Sequence, residues 1–533
     1  MLVAGCSSAA STPLVTGART DTTVWWRNGV CYEIFVRSFY DSNGDGIGDL
    51  KGLISRLDYI NDGNPSSTKS LGANCIWLMP IDKAHSYHGY DVTDYYHVDP
   101  QYGTDDDFRA LVSEAHRRGI RVIVDFVPNH SSSYHPFFQA ALKDPASPYR
   151  SWFRFSTTKP TQPGPWGQEA WHKSPLRDEY YYGVFWHEMP DWNYETPAVL
   201  NEMLKVTSYW LTTMNADGFR FDAIPYLVED GNALQHARGT HDVLRRLGTA
   251  IRAQSPQSFT IGEESDMAAL PTYYPDQLDS YFEFGVAAAT LESVRTGKAN
   301  TFLTAVNRAN ATLPEGRWSP FLTNHDQPRV MEVLNHDISR ARLAATAMLM
   351  LPGMPFVYYG EEIGMLGTKP DETIRTPMQW SSAANGGFTS GKPWEPLQPD
   401  WMTKNVAGQD GDDSSLLTHY RRLIHLRNAH PSLSAGALSI VQTEDRTSAI
   451  AAWIRSSNDE AFLIVVNFGD RPVPVYTKPL KIRFPPRVGY KLTMGYADPT
   501  QACIGASLSA DYNYVGMKSI APHSACILQI VSY

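Results

Sequence analysis

The chain has 533 residues, too many for one ordinary hydrophobic core, and its length predicts about two to four domains. Hydrophobic residues make up 42% of the chain and charged residues 19%, as in a folded globular protein. No run of about eighteen apolar residues occurs, so the sequence predicts no membrane-spanning helix. The formal net charge of -10 is spread along the chain without a basic stripe, which disfavours nucleic acid as a partner. We expect a monomer.

The first residues resemble the end of a bacterial lipoprotein signal. The run "VAGC" ends at Cys6, which would carry the lipid, and residues 1–21 continue as a flexible tether rich in Ser, Ala and Thr. The basic start and most of the apolar segment of such a signal are absent. The resemblance predicts an exported protein, anchored in the cell envelope or extracellular, if the chain was shortened upstream. A cytoplasmic protein is expected if the N-terminus is complete as given.

The next feature along the chain is the acidic loop "DSNGDGIGD" at residues 41–49. Oxygen ligands recur at every second residue around a sharp turn at Gly46, in the rhythm of an EF-hand loop. The closing Glu is missing, since position twelve is Gly52. The alternative is a solvated acidic turn. The pattern predicts one Ca²⁺ site formed by Asp41, Asn43, Asp45, the Ile47 carbonyl and Asp49.

Eight short apolar runs alternate with helix-like segments and predict a parallel (β/α)₈ barrel. Amphipathic helices are predicted at 105–119 and 338–351. The predicted strands are 31–36, 75–80, 121–127, 218–223, 259–264, 279–285, 320–324 and 355–362.

Two segments interrupt the alternation of predicted strands and helices, and they predict three structured domains. Residues 130–200 are rich in Pro, Trp, Tyr and Ser and too long for an ordinary loop, so they should form an inserted domain. The catalytic barrel then comprises 22–129 and 201–435. Residues 436–533 show alternating strand patterns, which predict a C-terminal antiparallel β-sandwich.

Four cysteines lie in predicted strands or near the C-terminus. Cys31 and Cys75 sit in apolar runs and are expected to be buried thiols. Cys503 and Cys526 lie close together in the sequence and could form a disulfide if the protein is exported.

Polar residues concentrate at the predicted strand ends, where the catalytic residues of such barrels lie. Arg220 and Asp222 lie two positions apart in "GFRFDA" and share one face of a strand. A salt-bridge layer closing the barrel mouth is the alternative explanation, but like-charged carboxylates meeting in one confined site raise one another's pKa. The set comprises Asp125, Asn129, His130, Arg220, Asp222, Glu263, His325, Asp326 and Arg329.

This residue set suits a retaining glycosidase, which needs one ionised and one protonated carboxyl group. Arg220 would keep Asp222 ionised as the nucleophile, and Glu263 would serve as general acid and then base. Asp326 would bind sugar hydroxyls and favour the oxocarbenium-like transition state. The carboxyl groups of Asp222 and Glu263 should then lie roughly 5–5.5 Å apart.

Four segments in order resemble the main conserved segments of the α-amylase family of glycoside hydrolases: "DFVPNH" (125–130), "GFRFDA" (218–223), "IGEES" (261–265) and "FLTNHDQPR" (321–329). The resemblance covers about residues 25–435 and implies a barrel with an inserted domain after its third strand. It makes Asp222 the nucleophile, Glu263 the acid/base and Asp326 the transition-state stabiliser. It implies a Ca²⁺ in the acidic loop, as in many relatives. It also implies substrate contacts from Tyr90, as a stacking platform, and from His130, Arg220 and His325, with Asp125 and Arg329 as further candidates.

The resemblance within the family is mixed. "YHGYD" (87–91) is similar to α-amylases, whereas "MPDWN" (189–193) and "RTPMQW" (375–380) are similar to neopullulanases and oligo-1,6-glucosidases. Pro225 and Tyr226 replace a Lys-His pair of many α-amylases, which puts their interdomain calcium, with Asn129 and Asp191 as candidate ligands, in doubt.

The mixture resembles an intermediate group that includes lipoprotein-like α-amylases. We expect cleavage of internal α-1,4 bonds in starch and maltooligosaccharides. The alternatives are a neopullulanase or cyclomaltodextrinase-like hydrolase, a 4-α-glucanotransferase, and, in another class, an inactive relative that serves as an interaction module.

Overall fold

A computed structural model of the chain describes residues 24–274, 276–444, 447–458, 460–480, 490–498, 502–509 and 513–532. The predicted tether 1–21 and its Cys6 lie outside these residues. In the described part, no helix is both long and apolar enough to cross a membrane.

The first domain is the predicted barrel of eight parallel strands. Each strand is buried on both faces, which is why the sequence shows short continuous apolar runs in place of alternation. The strands are β1 (Cys31–Ile34), β2 (Cys75–Leu78), β3 (Arg121–Phe126), β4 (Gly218–Phe221), β5 (Phe259–Gly262), β6 (Ser280–Phe282), β7 (Trp318–Ser319) and β8 (Phe356–Tyr358). They pair in the order β7-β6-β5-β4-β3-β2-β1-β8, and the Phe356 amide donates to the Pro320 carbonyl at 2.9 Å between the two ends.

The seventh strand lies earlier than the sequence predicts. Residues 320–324 were the expected strand, but β7 is Trp318–Ser319. Pro320 has no amide hydrogen to continue the ladder, so the chain leaves the sheet there. The predicted fourth and fifth strands are also shorter at their C-terminal ends, and Asp222 and Glu263 directly follow β4 and β5.

Helices surround the barrel and cover its outer face. The predicted helix 105–119 is confirmed as Asp105–Arg117; it starts with a capping box at Thr104 and ends before Gly119, which has a φ of 73°. The predicted helix 338–351 is Ile338–Leu349, capped by Asp337. The other long helices described in the barrel are Pro197–Thr212, Arg238–Gln254, Phe284–Thr296, Ala299–Thr312 and Leu416–Ala429.

The segment between β3 and helix Pro197–Thr212 lies in the place predicted for the inserted domain, and its Phe138, Phe153, Tyr181 and Trp192 pack into the same hydrophobic core as the barrel. It holds helix Pro136–Lys143 and a three-stranded antiparallel sheet with Tyr180–Tyr182 in the middle, between Phe155–Ser156 and Trp171–Lys173. An isolated bridge between His130 and Asp191 joins the two ends of this segment above β3. The insert therefore stands beside the barrel mouth.

The C-terminal domain is the predicted pair of antiparallel sheets around its own hydrophobic core. It is attached to the barrel through Trp453 and Arg455, which both donate to the Met350 carbonyl. One sheet contains Ala437–Val441, Ile450–Ser456, Ala461–Asn467, Ser524–Ser532 and Tyr490–Asp498, and the other contains Val473–Tyr476, Val515–Ile520, Cys503–Ile504 and Ser507–Leu508.

The structure corrects one expectation about the cysteines. Cys31 and Cys75 are buried, as predicted, but they form a disulfide and are not free thiols. They are direct partners in the parallel register of β1 and β2, a juxtaposition that depends on strand pairing and cannot be deduced from either sequence run alone. Cys503 and Cys526 are also paired.

Candidate active site

The candidate site is a cleft of about 500 Å³ at the C-terminal ends of the barrel strands. Five predicted site residues line it: Tyr90, His130, Asp222, Glu263 and Asp326. Its volume lies within the usual range for ligand sites. The two carboxylates are held at the rim by the sheet itself, since the amides of Asp222 and Glu263 donate to the carbonyls of Phe126 and Phe221 at 2.9 and 3.0 Å.

Arg220 joins the carboxylates of the site. Arg220 is only 1% exposed to solvent. One terminal nitrogen lies 2.6 Å from an oxygen of Asp222 and 3.0 Å from an oxygen of Asp125, and the other lies 2.8 Å from an oxygen of Glu263. The charged face of "GFRFDA" therefore points toward the barrel mouth, where one guanidinium binds three carboxyl groups.

Burial and the guanidinium set different pKa values for the two principal carboxyl groups. Burial raises the pKa of Asp222 to about 6, although Arg220 opposes the rise. Burial raises the pKa of Glu263 to about 7, again against Arg220, and the Asp222 charge adds to the rise. Near neutral pH, Asp222 is thus the more ionised group and Glu263 the more protonated. Arg220 favours the ionised Asp222, as predicted, but burial is the larger effect.

Asp326 has the opposite electrostatic setting. Its carboxylate lies 3.1 Å from Nε2 of His325 and 2.9 Å from a guanidinium nitrogen of Arg375. These cations hold its pKa well below the usual range, although burial alone would raise it. Its side chain is 44% exposed and opens to the cleft. Asp326 is therefore a carboxylate that stays charged and can accept hydrogen bonds from a ligand.

Tyr90 lines the cleft, and the buried His325 packs behind it. The imidazole Nδ1 lies 2.6 Å from a carboxylate oxygen of Glu33, and Nε2 lies 2.7 Å from the Tyr90 hydroxyl. Burial lowers the pKa of His325, but Asp326 and Glu33 outweigh it and raise that pKa to about 9. The rings of Tyr90 and His325 are stacked, with centroids 5.5 Å apart. Tyr90 thus presents a fixed aromatic face beside a cationic imidazole.

His130 lines the cleft on the side of the inserted domain. Burial lowers its pKa to about 3, so its imidazole is neutral in the working range. Its ring centroid lies 5.2 Å from that of Phe185. A neutral imidazole can both donate and accept a hydrogen bond, which suits a sugar hydroxyl.

Four predicted substrate contacts do not line the cleft, which corrects their placement: Asp125, Arg220, His325 and Arg329. Asp125 has a fully buried side chain that accepts hydrogen bonds from Arg220, Tyr90 and Trp77, so it supports the site from below. Arg329 donates to the carbonyls of Ile374 and Tyr359 at 2.8 and 2.7 Å and does not line the cleft. Its guanidinium holds the loop after β8 in place.

The structure adds site residues that the sequence prediction missed. Arg375 is buried, binds Asp326 and Asp371, and donates to the His325 carbonyl at 3.0 Å. Arg375 begins the "RTPMQW" segment (375–380), and the similarity of that segment to family members is the sequence feature that could have identified it. The other additional lining residues are His88, Trp166, Phe185, Trp186, Met189, Ala223, Pro225, Tyr226, Ser265 and Asp371.

Three of these additions form an aromatic wall, which we define as Trp166, Phe185 and Tyr226. The Trp166 centroid lies 5.4 Å from that of Phe185 and 5.2 Å from that of Tyr226. Trp166 is 56% exposed. Tyr226 follows the Asp222 loop, and the charges of Glu264 and Glu263 add to the effect of burial in raising its pKa. The wall therefore lines the cleft between His130, whose ring packs against Phe185, and the loop that begins at Asp222.

The acidic loop 41–49 lies away from this cleft. Asp41 accepts hydrogen bonds from the amides of Asn43, Gly44 and Gly46 and from the Thr389 hydroxyl, and these outweigh burial and lower its pKa. All five predicted ligands are oxygen donors, which fits the chemistry of Ca²⁺. Among the described residues no group of three or more His, Cys, Asp or Glu is placed to hold a metal.

Asn129 and Asp191 meet at the base of the inserted domain. Asn129 Oδ1 and Asp191 Oδ2 are buried, and neither has a hydrogen-bond partner within the part of the chain that the structure describes. Burial, with Glu229 nearby, raises the pKa of Asp191 well above its usual value. Their suggested part in an interdomain calcium site stays a prediction.

Comparison with known proteins gives a family match over most of the chain. Residues 33–436 match the family described as "Alpha amylase, catalytic domain". The chain is 36% identical over 457 residues to Alpha-amylase 3 of Dictyoglomus thermophilum, covering 83% of this chain and 85% of that protein. It is 30% identical over 533 residues to the oligo-1,6-glucosidase of Parageobacillus thermoglucosidasius, covering 86% and 92%.

Two further relatives are similar to this chain over most of its length. The chain is 32% identical over 524 residues to the trehalose synthase/amylase TreS of Mycolicibacterium smegmatis, covering 86% of each protein. The crystal structure of an α-amylase from H. orenii superimposes with a TM-score of 0.82 at 36% identity, covering 94% of this chain and 99% of that one. With the family match extending over most of its length, this chain belongs to the α-amylase family of glycoside hydrolases.

Proposed function

We propose that the protein is a retaining hydrolase that cleaves internal α-1,4 bonds of starch and maltooligosaccharides. The observation that carries this proposal is the contact of one buried guanidinium, Arg220, with both Asp222 and Glu263. Retaining enzymes hold their two carboxyl groups roughly 5–5.5 Å apart, whereas inverting enzymes need about 6.5–9.5 Å to admit a water. Two carboxylates bound by one planar guanidinium favour the shorter arrangement.

The reaction proceeds in two displacements. In the first, Asp222 attacks the anomeric carbon while Glu263 gives its proton to the leaving glycosidic oxygen, so that one C–O bond forms and another breaks. In the second, Glu263 takes a proton from water, the water oxygen attacks the same carbon, and the ester to Asp222 breaks. Asp326 would hold sugar hydroxyls as charge develops on the ring. The two inversions leave the α-configuration unchanged.

The substrate preference is supported by the shape and chemistry of the cleft. His88 lines the cleft in the "YHGYD" version of its loop, and the aromatic wall adds three flat rings to the lining. We expect sugars on both sides of the cleaved bond to use these contacts, as cleavage within a chain requires. The α-amylases among the relatives support α-1,4 bonds, while the oligo-1,6-glucosidase and trehalose synthase are the reason for testing other bonds.

A substrate panel tests this assignment. Soluble starch, pullulan, maltotriose, isomaltose and trehalose should be incubated with the enzyme and the products separated by chain length. We expect rapid loss of starch viscosity and release of short maltooligosaccharides, with slow action on the other four. Panose from pullulan would instead identify a neopullulanase, and faster cleavage of isomaltose or trehalose than of starch would contradict the proposal.

The pH dependence of kcat/KM should follow the two raised pKa values. Below a pKa of about 6, Asp222 takes up a proton and is no longer a nucleophile, so activity falls as the pH decreases. Above a pKa of about 7, Glu263 loses the proton that the leaving oxygen needs, so activity falls as the pH increases. Initial rates from about pH 4 to 9 should give a bell with its maximum between these values. Activity that still rises above about pH 8 would contradict the acid role of Glu263.

Transfer to a sugar acceptor is a second candidate activity, favoured by the aromatic wall. A glycosyl enzyme can react with any hydroxyl, and a sugar stacked on Trp166 would compete with water. We expect Trp166→Ala to lower the ratio of transfer to hydrolysis with maltotriose by about fivefold, because one stacking contact contributes roughly 1 kcal/mol. Oligosaccharides longer than maltotriose are the measured product.

The matched control for Trp166 is Leu176→Ala. Leu176 also belongs to the inserted domain and is 55% exposed, but it does not line the cleft. Its removal should leave the product ratio unchanged. An unchanged ratio in Trp166→Ala would show that the wall does not bind the acceptor.

We also propose that the loop 41–49 binds one Ca²⁺ through its oxygen donors. The ion would stabilise the loop and take no part in the reaction. Chelation should then lower the melting temperature of the wild type and have little effect on Asp45→Asn, in which an exposed donor has lost its charge. Asp413→Asn, at a side chain that is 90% exposed, is the control and should respond like the wild type. No change of melting temperature with chelator or added Ca²⁺ would contradict this site.

A further inference from the structure

A second carboxylate, Glu264, follows the proposed acid/base Glu263 and takes no part in the mechanism. Glu264 is 1% exposed. One of its oxygens accepts a hydrogen bond from the Asp266 amide at 2.6 Å, and the other lies 3.3 Å from Nδ1 of His236. Burying a carboxylate without partners costs free energy, and the second oxygen makes no hydrogen bond within the described residues, so the ion pair with His236 is its main stabilising contact. The barrel mouth thus holds an ion pair beside the acid/base that the two-step reaction does not use.

His236 contacts two loops at once and has a strained backbone. Its φ is +57°, which is uncommon for a residue other than glycine. Its amide donates to the Pro225 carbonyl at 2.9 Å, in the loop after β4. Its ring contacts Glu264 in the loop after β5 and the Tyr273 hydroxyl at 2.8 Å. The surrounding contacts therefore fix His236 in a conformation that links the two loops.

These two loops carry the reacting carboxylates. The loop after β4 begins at Asp222 and turns at Ala223, whose φ is +48° and whose amide donates to Glu263 at 3.2 Å. Pro225 in the same loop lines the cleft. A shift of one loop against the other would move the Glu263 carboxyl relative to the leaving oxygen. A misplacement of about 1 Å can cost roughly 10²-fold in rate.

We propose that Glu264 and His236 are positioning residues for the proton transfer by Glu263. Their ion pair, which we call the loop latch, holds the loop after β4 against the loop after β5. It thereby fixes the distance between the Glu263 carboxyl and the bond that is cleaved. The loop latch rests on the acid/base role proposed above for Glu263.

The charged and titratable groups around the loop latch support an ionic link. Glu264 faces Nδ1 of His236, Asp266 lies 3.8 Å from Nε2, and Tyr273 and Tyr226 are further titratable neighbours of the pair. Glu264 raises the pKa of His236, although burial opposes the rise. The imidazole therefore keeps its proton to a higher pH than an exposed histidine would.

The test compares kcat/KM on two substrates that differ in their need for an acid. The sugar leaving group of maltoheptaose must be protonated, whereas the phenolate of 2-chloro-4-nitrophenyl maltotrioside leaves without a proton. In Glu264→Gln we expect kcat/KM to fall about tenfold or more on maltoheptaose and less than about threefold on the aryl glycoside. His236→Gln, at a side chain that is only 19% exposed, should show the same pattern. The kcat/KM of the double variant on maltoheptaose should not be lower than that of the less active single variant, because both changes break the same contact.

Two reference variants make the outcome decisive. Glu263→Gln should show a larger loss on maltoheptaose than on the aryl glycoside; if both losses were equal, the acid/base assignment would fail and the loop latch with it. Glu283→Gln breaks another buried ion pair, with Arg308 at 2.5 Å and outside the cleft lining, and should lower the melting temperature without changing the substrate ratio. Equal losses on both substrates in Glu264→Gln and His236→Gln, or no loss, would overturn the loop latch while leaving the function proposed for Glu263 intact.

Discussion

Replacing Asp222 by Asn is expected to lower kcat on maltooligosaccharides by about 10⁴-fold or more, because a carboxamide does not form the glycosyl ester. The new side chain has nearly the same shape and removes one negative charge beside Arg220. The fold should therefore be kept, which thermal unfolding can check. The measurement is the release of reducing ends under saturating substrate.

The matched control for this change is Asp178→Asn. Asp178 is a carboxylate of the inserted domain whose side chain is 96% exposed, and its replacement should not affect kcat. If Asp222→Asn were as active as the wild type, another group would be the nucleophile, and the assignment of the cleft would be wrong.

The second large effect is expected for Arg220→Gln. This change leaves Asp125, Asp222 and Glu263 without their shared cation. Because Arg220 lowers the pKa of each carboxyl group, its loss should raise all three and move both limbs of the pH profile to higher pH. We expect kcat/KM to fall by about 10³-fold and the free energy of unfolding to fall by about 3–5 kcal/mol.

Arg427→Gln separates the stability effect from the catalytic one. Arg427 is also fully buried, but it donates to the carbonyls of Leu349 and Leu351, away from the cleft. Its loss should lower the free energy of unfolding without moving the pH profile. A profile for Arg220→Gln that coincides with that of the wild type would show that Arg220 does not set the carboxyl pKa values.

The barrel could be predicted because its strands are buried on both faces and read as apolar runs. The strand ends were less predictable: Pro320 ends β7 early, and β4 stops at Phe221, just before the nucleophile. The bond between Cys31 and Cys75 depends on the register of two strands 44 residues apart in the chain, which no local pattern encodes.

The candidate site was predictable where its residues directly follow barrel strands. Asp222 and Glu263 are placed by strand geometry alone, since the ladder continues through their amides. Trp166 and Arg375 come from long connections whose path depends on packing with other segments, so neither could be placed in the cleft from the sequence. Arg329 shows the opposite case: it was expected near the end of the seventh strand, but β7 ends at Ser319 and the Arg329 guanidinium binds the Ile374 carbonyl outside the cleft lining.

Time-resolved proton NMR of maltoheptaose hydrolysis tests the central claim most directly, because it reports the anomeric configuration and the size of the first products together. We predict that α-anomers of maltooligosaccharides appear first and that the β-anomer grows only later by mutarotation. Products that appear first as β-anomers would show inversion and contradict the role of Asp222 as a covalent nucleophile. Glucose as the sole early short product would contradict cleavage within the chain.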